Sequence, residues 1–256
     1  MSHAYDARIA HERTEILLGR AGLEFLAGRH VAVIGLGGVG GAAAEAIARA
    51  GVGHMTIVDY DKAGLSNLNR QLVCTLDALG CPKAVIMGQR IQNINPELKL
   101  DMWSEFLNPE NIRDRLSTAR FDYVLDCIDS VSCKADLVAS CQRLGIPVAS
   151  SLGAGGRLDV TQACITRLKD THTCGLAFNL RRRLRRMGCS LDYPVVFSPE
   201  PAIKPLPQQP IPGDPDAQPR AVNGTISYMP NIFGFMLAGF VIRDMLLEAG
   251  FTKKDS

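Results

Sequence analysis

HVAVIGLGGVGGAAAEAIARAGVGHMTIVDYD, residues 30–61, decides the fold. It reads as strand, glycine turn, helix, strand and acid. Val31, Val33 and Ile34 form a β-branched apolar run, and Gly35, Gly37 and Gly40 spell G-x-G-x-x-G. In such a turn the first glycine allows the tight bend and the second lets backbone approach a phosphate. The third lets the helix close on the strand. Residues 42–50 supply small side chains for a helix packed tightly on a sheet. Its N-terminus offers free N–H groups and the positive end of the helix dipole to an anion. Residues 55–58 read as the next strand. Asp59 ends it, placed to accept hydrogen bonds from ribose hydroxyls. The expected class is α/β, a doubly wound and mostly parallel sheet with a Rossmann-like nucleotide-binding half. This stretch alone leaves the nucleotide open, and taken by itself it favours an NAD-binding domain.

The following residues add cations. Asn67-Leu68-Asn69-Arg70-Gln71 comes shortly after the acid, and Gly80-Cys81-Pro82-Lys83-Ala84 opens another helix. A dinucleotide carries a bridging pyrophosphate that backbone N–H groups largely satisfy. A triphosphate carries more charge, and more still develops on a leaving pyrophosphate, which Arg70 and Lys83 would stabilise. FDYVLDCIDS, residues 121–130, reads as a buried strand ending in an acid. Asp129 there is a hard oxygen donor suited to Mg²⁺ beside phosphate. Taken singly, each residue has a plainer reading. Arg70 and Lys83 would be solvated charges, Asn67 and Asn69 turn residues, and Asp126 or Asp129 a helix cap. Their order behind the glycine turn favours the triphosphate.

The order GLGGVG, VDYD, SNLNRQ, GCPKA, DCIDS resembles the ubiquitin-activating-enzyme-like superfamily, whose members adenylate a carboxylate with ATP. The resemblance runs from Arg13 to about Leu247. It implies that Gly37 and Gly38 face phosphate and Asp59 the ribose. Asn67, Arg70 and Lys83 would contact the triphosphate, and Asp129 the magnesium. Gly35, Gly40, Asp61, Asn69 and Gln71 complete the expected nucleotide site. The segment ERTEILLG, residues 12–19, resembles the N-terminal arm of that superfamily. There an arginine, best matched by Arg13, reaches across a homodimer to the partner's nucleotide. Three further stretches, residues 150–162, 174–188 and 223–242, are similar to the tRNA threonylcarbamoyladenosine dehydratases. That resemblance implies ATP-driven activation of a threonyl carboxylate on a modified adenosine of tRNA. The neighbouring carbamoyl oxygen then closes an oxazolone-type ring and expels AMP.

Sulfur-carrier adenylyltransferases resemble the ATP half as closely and are the first alternative. They typically carry two C-x-x-C pairs that hold zinc. Of the eight cysteines here, Cys74, Cys81, Cys127, Cys133, Cys141, Cys164, Cys174 and Cys189, no two are so spaced. No zinc is expected, since a Cys₄ site draws on closely spaced pairs. Cys174, before a predicted helix, is a weak candidate nucleophile, because free cysteine usually packs as a small hydrophobe. An NAD-dependent oxidoreductase is a further alternative. It lacks a hydride-transfer acid or base and leaves Arg70, Lys83 and Asp129 unexplained. A nucleotide-binding regulator without turnover is the last.

With 256 residues, 46% of them hydrophobic, the chain can bury a sizeable core as a single adenylating domain. The expected division is an arm over residues 1–28, a nucleotide-binding half over 29–150, and a substrate and dimer half over 151–256. Net charge is +2, which makes no global demand for nucleic acid. Arg181, Arg182, Arg183, Arg185 and Arg186 are crowded together, however, as phosphate-backbone contact requires. A solvated helix face is the plainer reading. Residues 194–219 hold nine of the fourteen prolines and are expected to be a long mobile loop, neither helix nor central strand. The apolar run 233–242 is shorter than the about twenty residues a bilayer requires, so a core or dimer helix is expected and membrane association is disfavoured. Residues 1–8 lack the apolar core of a signal peptide, and irregularly spaced cysteines suit a reducing cytoplasm. A sulfur-transfer or other accessory protein remains a possible partner.

Overall fold

The computed structural model describes residues 5–209 and 220–251. Two N-terminal helices, α1 (Ala7–Ala10) and α2 (Glu12–Ala27), lead into the first strand, β1 (His30–Ile34). Then come α3 (Gly38–Arg49), β2 (His54–Val58), α4 (Lys83–Ile94), β3 (Lys99–Trp103), α5 (Ile112–Ser117) and β4 (Tyr123–Asp126). The second half runs α6 (Val131–Leu144), β5 (Val148–Ser151), β6 (Cys164–Arg167), α7 (Gly175–Arg186), β7 (Pro194–Phe197), β8 (Leu206–Gln209), β9 (Arg220–Val222) and α8 (Tyr228–Glu248). Strands β3-β2-β1-β4-β5-β7-β6 form one seven-stranded sheet, while β8 and β9 pair separately. Every pairing in the large sheet is parallel except the β6–β7 edge. This is the expected doubly wound, mostly parallel α/β fold.

Strand order reverses at β1. From it, β2 and β3 build outward one way and β4, β5 and β7 the other. Open parallel sheets bind ligands at such a switch point, outside the carboxyl ends of the strands. The central strands are buried on both sides: all five residues of β1 and all four of β4 are buried. Their apolar side chains divide into two cores. One lies under α2, α3, α4 and α8, with Leu26, Ile47, Met87, Phe233 and Val241 inside. The other lies under α5, α6 and α7, with Leu116, Leu137, Leu180 and Leu184 inside.

Two expectations need correction. Residues 194–197 are no loop: β7 is an interior strand, hydrogen-bonded to β5 on one side and β6 on the other. Pro194 is its first residue, where a missing N–H is tolerated, and Val195, Val196 and Phe197 are buried. Proline density concealed a strand of four residues. Residues 210–219 of the expected mobile loop lie outside the described residues. The C-terminal apolar element is also longer than the run 233–242, because Pro230 and Asn231 lie in the first turn of α8, where proline is tolerated. At 21 residues α8 is long and apolar enough to cross a membrane. One side of it is nonetheless core: Met229, Phe233, Leu237 and Val241 are buried.

α8 lies along α3, and the contact depends on Gly234. A Cβ built there would overlap Val39 O and stand 2.9 Å from Ala42 Cβ, so only glycine lets the two helices approach. At Gly239, on the outward side, nothing lies within 4 Å. Gly234→Ala is therefore expected to lose about 2 kcal/mol or more by forcing the helices apart, whereas Gly239→Ala gains up to about 1 kcal/mol of helix propensity. Thermal melts of both variants check this, and equal shifts would refute the close-packing argument.

Candidate active site

The glycine turn lies at the carboxyl end of β1. Gly35 N–H donates to Val58 O at 2.7 Å, which ties the turn to β2. A Cβ on Gly40 would overlap Gly35 O, so the helix could not start this close to the turn with any other residue. Gly37 caps α3 without a side-chain bond, and the first helical N–H bond runs from Gly41 to Gly37 O. The amides before it have no intrahelical partner, the arrangement by which helix N-termini bind anions. α3 thus begins at Gly38, four residues earlier than the small-residue run suggests.

Asp59, at the end of β2, is buried. One carboxylate oxygen accepts Leu36 N–H at 2.6 Å, and the other accepts Asp61 N–H at 2.8 Å. An ionised carboxylate has about four lone-pair positions, so acceptor capacity remains for ribose hydroxyls. Burial pushes its pKa above the usual carboxylate range, opposed by the Lys83 charge and the two N–H bonds. Asp61 in turn pairs with Lys83: Nζ–Oδ2 is 2.8 Å, and Lys83 N–H donates to Asp61 O at 2.9 Å. Lys83 is the first residue of α4 and only 4% exposed, so its ammonium is held in place.

Arg70 is held without an acid. Its Nη1 donates to Ser66 O and to Asn69 Oδ1, both at 2.9 Å, and it forms no ion pair among the described residues. Asn69 Nδ2 donates to Thr225 O at 2.8 Å, and Asn67 Oδ1 accepts Gly64 N–H at 3.1 Å. Gln71 is buried with Oε1 unpartnered, and its Nε2 stands 3.8 Å from a Cβ built on Gly37. Asn231 completes the wall from α8, donating to Arg70 O at 3.0 Å. Sequence reasoning misses this residue. Its position directly after Pro230 is the available signal.

The acid that ends β4 is Asp126 rather than Asp129. Asp126 is fully buried and pairs with buried Lys134 at 2.8 Å. It also accepts Ser150 Oγ–H at 2.6 Å and Ile128 N–H at 3.2 Å. Burial pushes its carboxyl upward, against the pull of Lys134 and Ser150. This network anchors the loop that follows, on which Asp129 is exposed. Arg13 is exposed on α2, and no hydrogen bond or ion pair joins it to the site among the described residues.

Two other features do not mark the site. His30, His54 and Asp101 cluster at the amino end of the sheet. The imidazoles stack at 3.4 Å and 9°, and in-plane nitrogen lone pairs of parallel rings cannot converge on one ion. Burial, reinforced by the adjacent His54, lowers the His30 pKa to about 4. A concavity lined by Leu116, Arg120, Asp122 and Pro147 also lies at that end, away from the glycine turn.

Fold and site together define an α/β nucleotide-binding protein with two fixed cations and a free amide row at the switch point. Comparison with known proteins specifies the class: the chain belongs to the ThiF family, which it matches over residues 11–252. It is 35% identical to the Bacillus subtilis tRNA threonylcarbamoyladenosine dehydratase over 92% of this chain and 94% of that one. It is 42% identical to the Escherichia coli protein of the same name over 67% of this chain, a match that spans 64% of that protein. The crystal structure of the E. coli tRNA N6-threonylcarbamoyladenosine dehydratase in complex with ATP superposes with a TM-score of 0.85. It has 35% identity and covers 97% of this chain and 99% of that one.

Lys83→Ala is expected to lower pyrophosphate release by about 10²–10³-fold, the usual cost of removing one preorganised charge partner. Melting temperature should change little, since Asp61 is left half-exposed rather than buried. Wild-type turnover in this variant would remove Lys83 from the triphosphate site.

Proposed function

We propose that this chain is an ATP-dependent tRNA threonylcarbamoyladenosine dehydratase. The observation that carries the reading is the pair of fixed cations, Lys83 and Arg70, set around a glycine turn with free amides. A dinucleotide does not need them, whereas a triphosphate that must release pyrophosphate does. The same pair, with no hydride-transfer acid or base among these residues, disfavours an oxidoreductase.

The threonyl carboxylate attacks the α-phosphorus of ATP and pyrophosphate leaves, forming an acyl-adenylate. The carbamoyl oxygen attacks the acyl carbon, a proton is lost from the carbamoyl nitrogen, and AMP departs. The net change is loss of one water from the nucleoside. Adenylation suits the task because AMP leaves where hydroxide does not, and ring closure within one molecule supplies proximity. The amides of the glycine turn and Arg70 bind the phosphates, Lys83 neutralises the pyrophosphate, and Asp59 orients the ribose. Gly35, Gly38, Gly40, Asp61, Asn67, Asn69 and Gln71 shape and hold this site. Mg²⁺ takes one or two carboxylates beside phosphate oxygens, and the exposed Asp129 at the carboxyl end of the sheet fits that donor set. When bound, Mg²⁺ offsets phosphate charge.

In this reading the protein is a cytoplasmic homodimer. Residues 1–28 form an arm whose exposed Arg13 reaches the partner's nucleotide. Residues 29–150 hold ATP, and residues 151–256 serve the acceptor and the dimer. α7 is the tRNA-facing element. Ala177, Leu180 and Leu184 are buried while Arg182, Arg183, Arg185 and Arg186 are exposed. Arg181 is turned inward, donating to Thr171 O at 2.8 Å.

Two experiments test the reading. Threonylcarbamoyladenosine-bearing tRNA, incubated with the protein, ATP and Mg²⁺ and then digested for mass spectrometry, should lose one water from that nucleoside, with AMP formed. An unchanged mass, with ATP consumed only when sulfur-carrier proteins are added, would transfer the chain to the sulfur-carrier adenylyltransferases. Replacing Arg182, Arg183, Arg185 and Arg186 by Ala should weaken tRNA binding and flatten its dependence on salt, by about 0.7–0.9 in log–log slope for each phosphate no longer neutralised. Unchanged binding would put the RNA elsewhere.

A further inference from the structure

Beyond the nucleotide site, one buried cation has no carboxylate partner among the described residues, unlike Lys134 with its Asp126. Arg157 follows β5 in the run Leu152-Gly153-Ala154-Gly155-Gly156-Arg157, and it is 3% exposed. Its Nη1 donates to Gly153 O at 2.5 Å and Gly155 O at 3.1 Å, while its buried Nε has no partner. No carboxylate pairs with it among the described residues. Glu200, in the same loop assembly, is occupied by the N–H groups of Leu158 and Asp159 at 3.0–3.1 Å. A guanidinium taken out of water without an anion costs several kcal/mol, so its retention here asks for an anionic partner.

The start of a helix lies in the same neighbourhood. A methyl group built on Gly153 stands 3.7 Å from Arg157 Nη1, 3.8 Å from Leu176 Cβ and 3.9 Å from Cys174 Sγ. The guanidinium and the start of α7 thus both border Gly153, and α7 is a helix of 12 residues whose N-terminus no side chain caps. Buried Arg157 with its unpartnered Nε is the second and independent mark of an anion site beside that terminus. The loop is fixed rather than loose: Gly156 N–H donates to Gly224 O at 2.7 Å, and Ile203 N–H donates to Gly156 O at 2.8 Å. Tyr228 Oη–H donates to Leu158 O at 3.0 Å.

Strand order says which anion. Along the carboxyl edge of the sheet, Asp59 follows β2, the phosphate turn follows β1, Asp129 comes after β4, and Arg157 comes after β5. The ribose, phosphate and magnesium positions are thus accounted for before Arg157 is reached. The next strand over is where an acceptor must enter to meet the phosphates.

We propose that Arg157 and the N-terminus of α7 form the subsite that receives the threonyl carboxylate of the acceptor before adenylation. Arg157 is then a specificity-determining residue that favours an acid over its neutral ester. The proposal rests on the acceptor reading given above. Before attack, the carboxylate is held by charge-assisted hydrogen bonds. Once it has been adenylated its charge is gone, so the acyl group is no longer retained by the guanidinium and is released to the ring-closing step.

The test is calorimetric binding of the free nucleoside N6-threonylcarbamoyladenosine, and of its carboxyl methyl ester, to the full-length protein loaded with a non-hydrolysable ATP analogue. Wild type is expected to prefer the acid at least tenfold. Arg157→Met is expected to bind acid and ester alike, with the affinity for the ATP analogue unchanged, and Arg157→Lys to recover part of the preference. The unchanged nucleotide affinity shows that the site still folds without the bonds to Gly153 and Gly155. A preserved acid preference in Arg157→Met overturns the subsite alone. Weakening of acid, ester and nucleotide together also overturns it, by assigning the guanidinium to phosphate or to loop structure. Failure of wild type to bind either nucleoside overturns the subsite together with the acceptor reading.

Discussion

The Asp59 carboxylate joins the glycine turn to the Asp61–Lys83 pair, the two halves of the candidate site. One oxygen holds Leu36 N–H in the glycine turn, and the other holds Asp61 N–H, whose side chain grips Lys83. A single buried acid therefore sets the distance between the free amides of the glycine turn and the Lys83 ammonium. Charge-assisted bonds of this kind are shorter and stronger than neutral ones, and burial removes the water that would compete for them. The site is preorganised by backbone bonds made before any ligand arrives, so little reorganisation is left for the reaction itself.

Much of this was legible because backbone geometry forces residue choice. Gly40 cannot bear a Cβ, and glycine at a tight turn is visible in one sequence. The acid after β2 and the cation opening α4 stand at topologically fixed places, the ends of strands and the starts of helices. What escaped is instructive in physical terms. Proline in residues 194–219 read as loop, yet proline is harmless at the first position of a strand, and Val195–Phe197 carry the burial. Asp126 and Asp129 are indistinguishable by composition. The buried partners Lys134 and Ser150, 8 and 24 residues away, make Asp126 a structural anchor and leave Asp129 free. Arg157 carries no mark in its glycine-rich run, because burial of a lone arginine has no signature in sequence.

Asp126 and Lys134 also show how the fold supports its chemistry indirectly. Both are fully buried, so their pairing yields little net stability, but removing either partner strands a charge in a dry interior. The pair acts as a positional clamp: through Ile128 N–H it fixes the start of the loop that carries Asp129. On the far side of the same strand edge, Ser150 links this clamp to β5, from which the Arg157 loop departs. Two chemically distinct loops thus share one buried hydrogen-bond network.

The wall of the site contributed by the C-terminal segment has a consequence for synthesis. Asn69 is tied to Thr225 across 156 residues and Arg70 to Asn231 across 161, while α8 seals the face of α3 through Gly234. A chain emerging from the ribosome completes the glycine turn and Lys83 early, but it lacks the brace for the Arg70 segment until Asn231 has been added, 161 residues after Arg70. Chains released before that point carry an exposed apolar α3 and an unbraced Arg70 segment. Completion of the Arg70 wall and covering of α3 thereby wait on the same late helix, α8.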